Sequence, residues 1–555
     1  MCFGGRLRAA AFFGTVTIRF VTRHAPSDHM TPEELDALWQ LGQQQEAEGS
    51  LDAARATYQE ILAGSPRQIM VQVRLSEVEQ RAGRYRAARD CALQAARTIA
   101  QTHRWEGLAF VTANLLIFDE RRVVLDLVRQ APWADPRVIT QSVVLSQQLW
   151  LCGDEEGSLR MLDIAGRRVV ADHRLAYSRG VALQQLGRLD QATGAFEESI
   201  KISPDFPVAH WTLAYHVPSD PPGMRVERIR AALLRQEGDL ERAMLHYALF
   251  KELDDAQQPD LAWSELEAGA AIMRRLNVYS PHAFRADVEA MLAAPPPTPP
   301  VAATAEGART PVFIVGMPRT GTTLLSRIIG AHPAVSDAGE LNALDHAISE
   351  GLDRFVDLPP PAEAIGTLRD MDPAAVSAAY MRRTSGYYRG TSTHLIDKNP
   401  MNVFAADTIA RVMPNARILC LSRGAMDTCY SNLVQLFQNG AFAYSYDQRQ
   451  LADRYALFRR VVDHWNTHLP GNFLEVSYES LVEDPIATSR QVMAFCGLDF
   501  APDYVDITLN TSPSATASKT QIREPIHTQG LGKWRRYEDR MQPLMTRLRD
   551  LGVAV

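Results

Sequence analysis

Glycines recur on a fixed period in the first half of this 555-residue chain: Gly49 and Gly83 stand 34 residues apart, and so do Gly153 and Gly187. Aligned on those glycines, Ser50-Leu51-Asp52-Ala53-Ala54 overlies Arg84-Tyr85-Arg86-Ala87-Ala88, and Glu156-Gly157-Ser158-Leu159 falls near Asp190-Gln191-Ala192. Between the glycines, Ala, Leu, Arg, Gln and Glu keep helical spacing from residue 30 to 292. A short glycine turn joining two helices at a constant interval leaves few architectures open. One such pair cannot bury its apolar face alone, so neighbouring pairs must stack and share a continuous core. The predicted fold of residues 30–292 is therefore an α-solenoid.

The unit Leu183-Gln-Gln-Leu-Gly-Arg-Leu-Asp-Gln-Ala-Thr-Gly-Ala-Phe196, followed by Pro204, resembles a tetratricopeptide repeat, and Gly238-Asp-Leu-Glu-Arg-Ala-Met-Leu-His-Tyr247 resembles a degenerate one. That resemblance implies a concave surface of the kind that holds an extended peptide partner. The repeats are expected to recruit an acceptor and to add little to chemistry elsewhere in the chain.

Ala293-Ala-Pro-Pro-Pro-Thr-Pro-Pro-Val-Ala-Ala-Thr-Ala-Glu-Gly-Ala-Arg309 breaks every periodicity, because consecutive prolines cannot continue a helix. Residues 293–309 are read as a linker and 310–555 as a second domain. In that domain, strands at Pro311–Val315, His394–Ile396, Ala416–Leu421 and Phe473–Val476 alternate with helical patterns. The alternation predicts an α/β fold with a parallel sheet and a ligand at its carboxyl edge. Residues 1–29 carry basic residues before a short apolar run and are expected to be a disordered extension, with Met30 as the natural first residue. No apolar run approaches the ~20 residues of a membrane-spanning helix. The balance of 58 basic against 65 acidic side chains makes no electrostatic case for nucleic acid. Six scattered cysteines without a C-x-x-C pair indicate neither zinc nor a disulfide framework, and a reducing cytoplasm is the expected compartment.

The chemistry-bearing stretch is Pro311-Val-Phe-Ile-Val-Gly-Met-Pro-Arg-Thr-Gly-Thr-Thr-Leu-Leu-Ser326. Gly316 and Gly321 keep the G-x4-G frame of a phosphate-cradling turn, whose backbone N–H groups and following helix N-terminus hold an anion. Thr322 and Thr323 occupy the places where a triphosphate site carries Lys and Ser/Thr. The ligand is expected to be anionic without being Mg-ATP.

The string Pro-Arg-Thr-Gly-Thr-Thr resembles the 5'-phosphosulfate loop of sulfotransferases that use 3'-phosphoadenosine-5'-phosphosulfate, and the resemblance extends over most of 310–540. It is closest to the tyrosylprotein and related bacterial branch. It implies that Arg319, Thr320, Gly321, Thr322 and Thr323 hold the phosphosulfate, that Glu340 is the base taking the acceptor proton, and that Lys398 in Asp397-Lys398-Asn399-Pro400 stabilises the transferring sulfuryl group. His332 is the competing base, and a helix first-turn acid is the competing reading of Glu340. Arg423 and Ser431 are implied to bind the donor's 3'-phosphate, although Arg423-Gly424 departs from the family's usual Arg-Asp. Tyr478 is implied to pack by the nucleotide, with an ordinary core tyrosine as the alternative. Ser518, Arg523 and Lys533 are implied to close over the adenosine and 3'-phosphate, with their register open by a residue. The constellation requires no metal. Two other readings stay open at this level: a P-loop kinase or NTPase, disfavoured by Thr322, and a repeat scaffold whose sulfotransferase-like domain is inactive. The acceptor, whether protein, carbohydrate or small molecule, is not legible.

Overall fold

The computed structural model describes residues 30–294, 309–437, 440–509 and 524–555. The expected extension at 1–29 and nearly all of the expected linker lie outside them.

The described residues divide into two compact units that do not follow the proline-rich segment: 30–182 with Ala343–Val356, and the remainder from Leu183 onward. In the first unit, helices run as antiparallel pairs, among them Pro32–Ala47 with Leu51–Gly64, Ile69–Arg81 with Tyr85–Thr102 and Ser142–Leu151 with Glu155–Gly166. Gly49, Gly83 and Gly153 sit in the turns of such pairs with φ of 77° to 84°, and a β-carbon there would meet nothing within 4 Å; Gly187, in the second unit, has φ 76°. Backbone conformation, not space, calls for glycine at these turns, because a left-handed residue closes the helix at low cost only without a side chain. The turn after Leu108–Leu116 uses Asp119 at φ 54° in the same role, which hides that pair from a search for glycine.

The first unit's core falls into two neighbouring clusters, one through Leu35, Tyr58, Ile61 and Val71 and one through Tyr85, Ala92, Ile99, Leu108, Leu115, Phe118, Leu127 and Leu145. The helix Ala343–Leu352 joins this unit rather than the sheet. Arg86 donates to the carbonyls of Glu350 and Gly351 at 2.8 and 3.0 Å, its backbone N–H reaches Asp353, and the Tyr85 ring packs on Phe355.

The second unit contains a five-stranded parallel sheet, β1 Thr310–Gly316, β2 Val335–Asp337, β3 His394–Asp397, β4 Arg417–Ser422 and β5 Phe473–Ser477, in the order β2-β3-β1-β4-β5. The four strands expected from sequence are present. β2 is the addition, too short at three residues to carry a periodic signal. β1 and β4 are buried almost throughout, as strands covered on both faces must be, and their apolar side chains pack on the helices Thr322–Ile329 and Pro485–Cys496. Since the chain leaves β1 for β2 and β3 on one side and then crosses to β4 on the other, the crevice above the β1–β4 pair is the switch point where an open α/β sheet takes its ligand.

The last repeat helices, from Leu189–Ile202 through Pro281–Ala293, belong to this second unit and pack directly on the α/β part. Tyr215 donates to the Val434 carbonyl at 2.9 Å, Arg274 to the Tyr446 carbonyl at 2.6 Å, and Asp254 accepts from Arg536 and Tyr537 at 2.6 and 2.7 Å. Arg454 lies 3.5 Å over the Phe284 ring with Tyr444 and Phe404 close by, a cation buried among aromatic faces. Gly238, in the expected degenerate unit, caps the start of Asp239–Asp255 with an ordinary φ of −74°. Among the described residues no helix is long and apolar enough to cross a membrane.

Candidate active site

The turn after β1 is built by backbone conformations that few residues adopt. Gly316 has φ 152°, Arg319 φ 68° and Gly321 φ 100°, and the helix Thr322–Ile329 begins immediately after. A β-carbon on Gly316 would come within 2.6 Å of the Leu421 carbonyl oxygen on β4, so the turn is pressed against the neighbouring strand. Thr320 closes the turn internally, its hydroxyl donating to the Met317 carbonyl at 2.8 Å, and Asn432 donates to the Pro318 carbonyl at 2.8 Å. Thr322 and Thr323 are buried in the first helical turn, where unpaired N–H groups face the crevice.

Gly321 faces a second constraint. A β-carbon on it would lie 2.4 Å from Cδ2 of Tyr478, whose ring closes over the turn. Gly321→Ala is expected to cost about 1–2 kcal/mol from the left-handed backbone alone, and to displace Tyr478 in addition. Chemical denaturation of the variant together with anion binding at the turn measures both effects.

Tyr478 links the turn to Arg423. The Arg423 guanidinium lies 4.6 Å over the Tyr478 ring, its Nη1 donates to the Arg319 carbonyl at 3.3 Å, and its Nη2 donates to the Gly530 carbonyl at 2.6 Å. Gly530 in turn approaches the Tyr478 hydroxyl so closely that a β-carbon there would stand 3.1 Å from it. Burial raises the pKa of the Tyr478 phenol, keeping it a neutral hydrogen-bonding group. Arg423 is 7 % exposed, and its Nε has no hydrogen-bond partner among the described residues. A buried guanidinium donor without an acceptor is costly, so the position suits an incoming anion.

Asp427 shares this corner. Its carboxylate lies 3.5 Å from Arg423 and accepts from the Gly532 N–H at 2.9 Å, and burial holds its carboxyl above the ordinary range against the pull of Arg423. Ser431 stands one helical turn further along Ala425–Leu433, on the same side as Asp427. Lys533 follows Gly532 directly, at the start of the segment Lys533–Met541. Ser518 and Arg523 lie outside the described residues.

Across the turn, the structure brings Glu340 and Lys398 together. Lys398 follows the last residue of β3, next to β1, and its ammonium donates to the Glu340 carboxylate. The Lys398 side chain is 3 % exposed and that of Glu340 20 %, so the lysine is enclosed and the carboxylate is partly open to solvent. Glu340 sits in the loop between β2 and Ala343–Leu352, outside any helix, which removes the reading of a helix first-turn acid.

Four hydrogen bonds hold the pair. The Lys398 N–H donates to the Gly339 carbonyl at 2.9 Å, Asn399 Nδ2 donates to the Leu341 carbonyl at 3.0 Å, and Asp337 accepts both from the Ser326 hydroxyl at 2.6 Å and from the Gly339 N–H at 2.8 Å. Asp337 thereby ties the loop bearing Glu340 to the helix that follows the phosphate turn. None of Asp337, Asn399, Asn432 and Asp427 was assigned a role from sequence. For Asp337 the string Ser-Asp-Ala-Gly is a local turn signal, but its second partner, Ser326, is visible only in three dimensions.

His332 lies elsewhere. It precedes β2, whose first residue pairs in register with His394, the partner of Thr310 at the start of β1, so it stands at the amino edge of the sheet. There its Nδ1 accepts from the Ala334 N–H at 3.0 Å and its Nε2 meets Asp499 at 2.9 Å. The competing base is thus a structural histidine, remote from the crevice because the intervening helix carries the chain back across the sheet.

Residues 311–502 match the family model described as the sulfotransferase family. An uncharacterized protein of Aquifex aeolicus (strain VF5) is 28% identical over 324 residues, covering 56% of this chain and 42% of that protein, so the chain spans less than half of that relative's length. A putative protein-tyrosine sulfotransferase of Caenorhabditis briggsae is 23% identical over 231 residues, covering 40% of this chain and 80% of the relative. The solved sulfotransferase domain from the Synechococcus PCC 7002 olefin synthase aligns with 45% of this chain and 96% of its own at 20% identity, with a TM-score of 0.29.

Proposed function

We propose that this chain, whose C-terminal half carries a sulfotransferase-family domain, moves a sulfuryl group from 3'-phosphoadenosine-5'-phosphosulfate to an acceptor hydroxyl. The observation that carries the reading is the convergence, at one carboxyl edge of the sheet, of a lysine-free phosphate turn, the buried guanidinium of Arg423 and the Glu340–Lys398 pair. The donor is anionic at both ends, and the two ends of the crevice answer it. Arg319 and the first amides of Thr322–Ile329 face its phosphosulfate, while Arg423, Ser431 and Lys533 take the 3'-phosphate.

In transfer, the acceptor oxygen forms the new bond to sulfur as the bond from sulfur to the bridging phosphate oxygen breaks. Glu340 takes the acceptor proton, Lys398 and Arg319 meet the charge gathering on the leaving phosphate, and 3'-phosphoadenosine-5'-phosphate departs. No step calls for a metal ion. The acceptor class to test first is a peptide tyrosine, supported by the relative named as a putative protein-tyrosine sulfotransferase. The repeats offer the surface for such a peptide partner.

The test is calorimetric binding of 3'-phosphoadenosine-5'-phosphate by the full chain without divalent metal. Arg423→Ala is expected to weaken it by ~1.5–3 kcal/mol, the scale of a hydrogen bond to a charged group. Equal affinity of the unaltered protein for adenosine 5'-monophosphate, which lacks the 3'-phosphate, would overturn the assignment.

A further inference from the structure

A helix from outside the α/β part is hydrogen-bonded to the segments around the proposed 3'-phosphate subsite. The repeat helix Asp239–Asp255 lies in the same compact unit as the sheet, and one of its faces is committed to the segments that carry Ser431 and Lys533. Tyr247 donates to the carbonyl of Leu433, the last residue of the helix bearing Ser431, at 3.2 Å. Asp254 accepts from Arg536 and Tyr537, on the segment that opens with Lys533, at 2.6 and 2.7 Å. Lys251 is four residues after Tyr247 and three before Asp254, so helical periodicity puts it on that same face, between the two contacts. Its ammonium is held there by Asp255, the residue after Asp254 on the same helix.

The charges around it form a crowded set. The Lys533 pKa is lowered first by burial and next by the Lys251 charge, with Arg423 and Arg536 adding to the repulsion and Asp254 opposing it. The nearby acids are already engaged. Asp254 holds Arg536 and Tyr537, Asp255 holds Lys251 itself, and Asp427 holds the Gly532 N–H beside Arg423. Cations gathered in a half-enclosed corner repel one another, and a multiply charged anion placed among them relieves that repulsion.

We propose that Lys251 is a further donor-binding residue, contributed by the repeats to the 3'-phosphate subsite, so that this subsite is incomplete without the last repeat helices. The inference rests on the reading of Arg423 as a 3'-phosphate ligand. It also alters the part given to the repeats: beyond recruiting an acceptor, they close the donor site. The geometric reason is that Asp239–Asp255 hydrogen-bonds to both segments beside Arg423 and carries its one lysine on the face between those two contacts.

The measured quantity is the ratio of affinities of the full chain for 3'-phosphoadenosine-5'-phosphate and adenosine 5'-monophosphate, obtained by calorimetry. Lys251→Met keeps the aliphatic stem and is expected to lower that ratio about tenfold, with affinity for the monophosphate unchanged. Lys251→Arg is expected to retain most of the selectivity. Asp255→Asn, which removes the carboxylate competing for the ammonium, is expected to raise it. If the unaltered protein shows no preference for the 3'-phosphate, the reading of Arg423 fails and the inference goes with it. If Arg423→Ala abolishes the preference but Lys251→Met preserves it in full with an unchanged melting temperature, the inference alone is overturned. Should Lys251→Met lose its cooperative melt, Asp255→Asn decides, and a ratio that stays level or falls counts against Lys251.

Discussion

Glu340→Gln is expected to slow sulfuryl transfer by about 10²-fold or more, while affinity for 3'-phosphoadenosine-5'-phosphate stays unchanged. The amide keeps the size of the side chain and an oxygen that accepts from Lys398, so the loop and its ties to Asp337 and Asn399 survive. What it loses is the ability to take a proton from the acceptor. Single-turnover measurement with bound donor separates the two effects, because the loss should appear in the transfer rate and not in donor occupancy. His332→Ala serves as the contrast. With its ring hydrogen-bonded to Ala334 and Asp499 at the amino edge, its removal is expected to lower stability and spare transfer. Turnover lost in the His332 variant and kept in the Glu340 variant would reverse the assignment of the base.

Lys398→Met is the second large expected effect, a fall of about 10²- to 10³-fold in the transfer rate, the scale seen when a preorganised group facing transition-state charge is removed. Lys398 is enclosed, its main chain is held by Gly339, and its ammonium is already aimed at the carboxylate beside which the acceptor must lie. Such a group needs no reorganisation as charge develops, which is why its loss should fall on the rate more than on donor affinity. Methionine keeps much of the buried volume and removes the ammonium that Glu340 accepts from. A variant that binds donor less well but transfers at the original rate would make Lys398 a ground-state ligand instead.

These two residues also show where reading the chain reaches its limit. They are separated by 58 positions, and no spacing rule links them; family resemblance suggested each role separately, while their contact follows from β2 lying parallel beside β3 and from the Asp337 and Asn399 ties. The strands β1, β3, β4 and β5 were legible because each is a short apolar run bounded by turn residues. β2 was not, since three residues carry no period. The repeat was legible wherever glycine held the left-handed turn, and vanished where Asp119 or Gln257 took the same conformation.

By itself the sequence determined the local chemistry: helical pairs where glycine recurs, a parallel sheet where apolar strands alternate with helices, and a glycine-framed turn with Thr322 standing where a triphosphate site carries its lysine. Backbone propensity and side-chain type act over a few residues, so they can be read in order along the chain. Tertiary structure alone decided that His332 lies at the opposite edge from Glu340, that Tyr478 roofs Gly321 and supports Arg423, and that the last repeat helices pack on the α/β part despite the proline-rich segment between them. Those outcomes depend on which buried faces and hydrogen-bond donors find partners a hundred or more residues away, a choice made by the packing of the whole unit and by no single stretch of it.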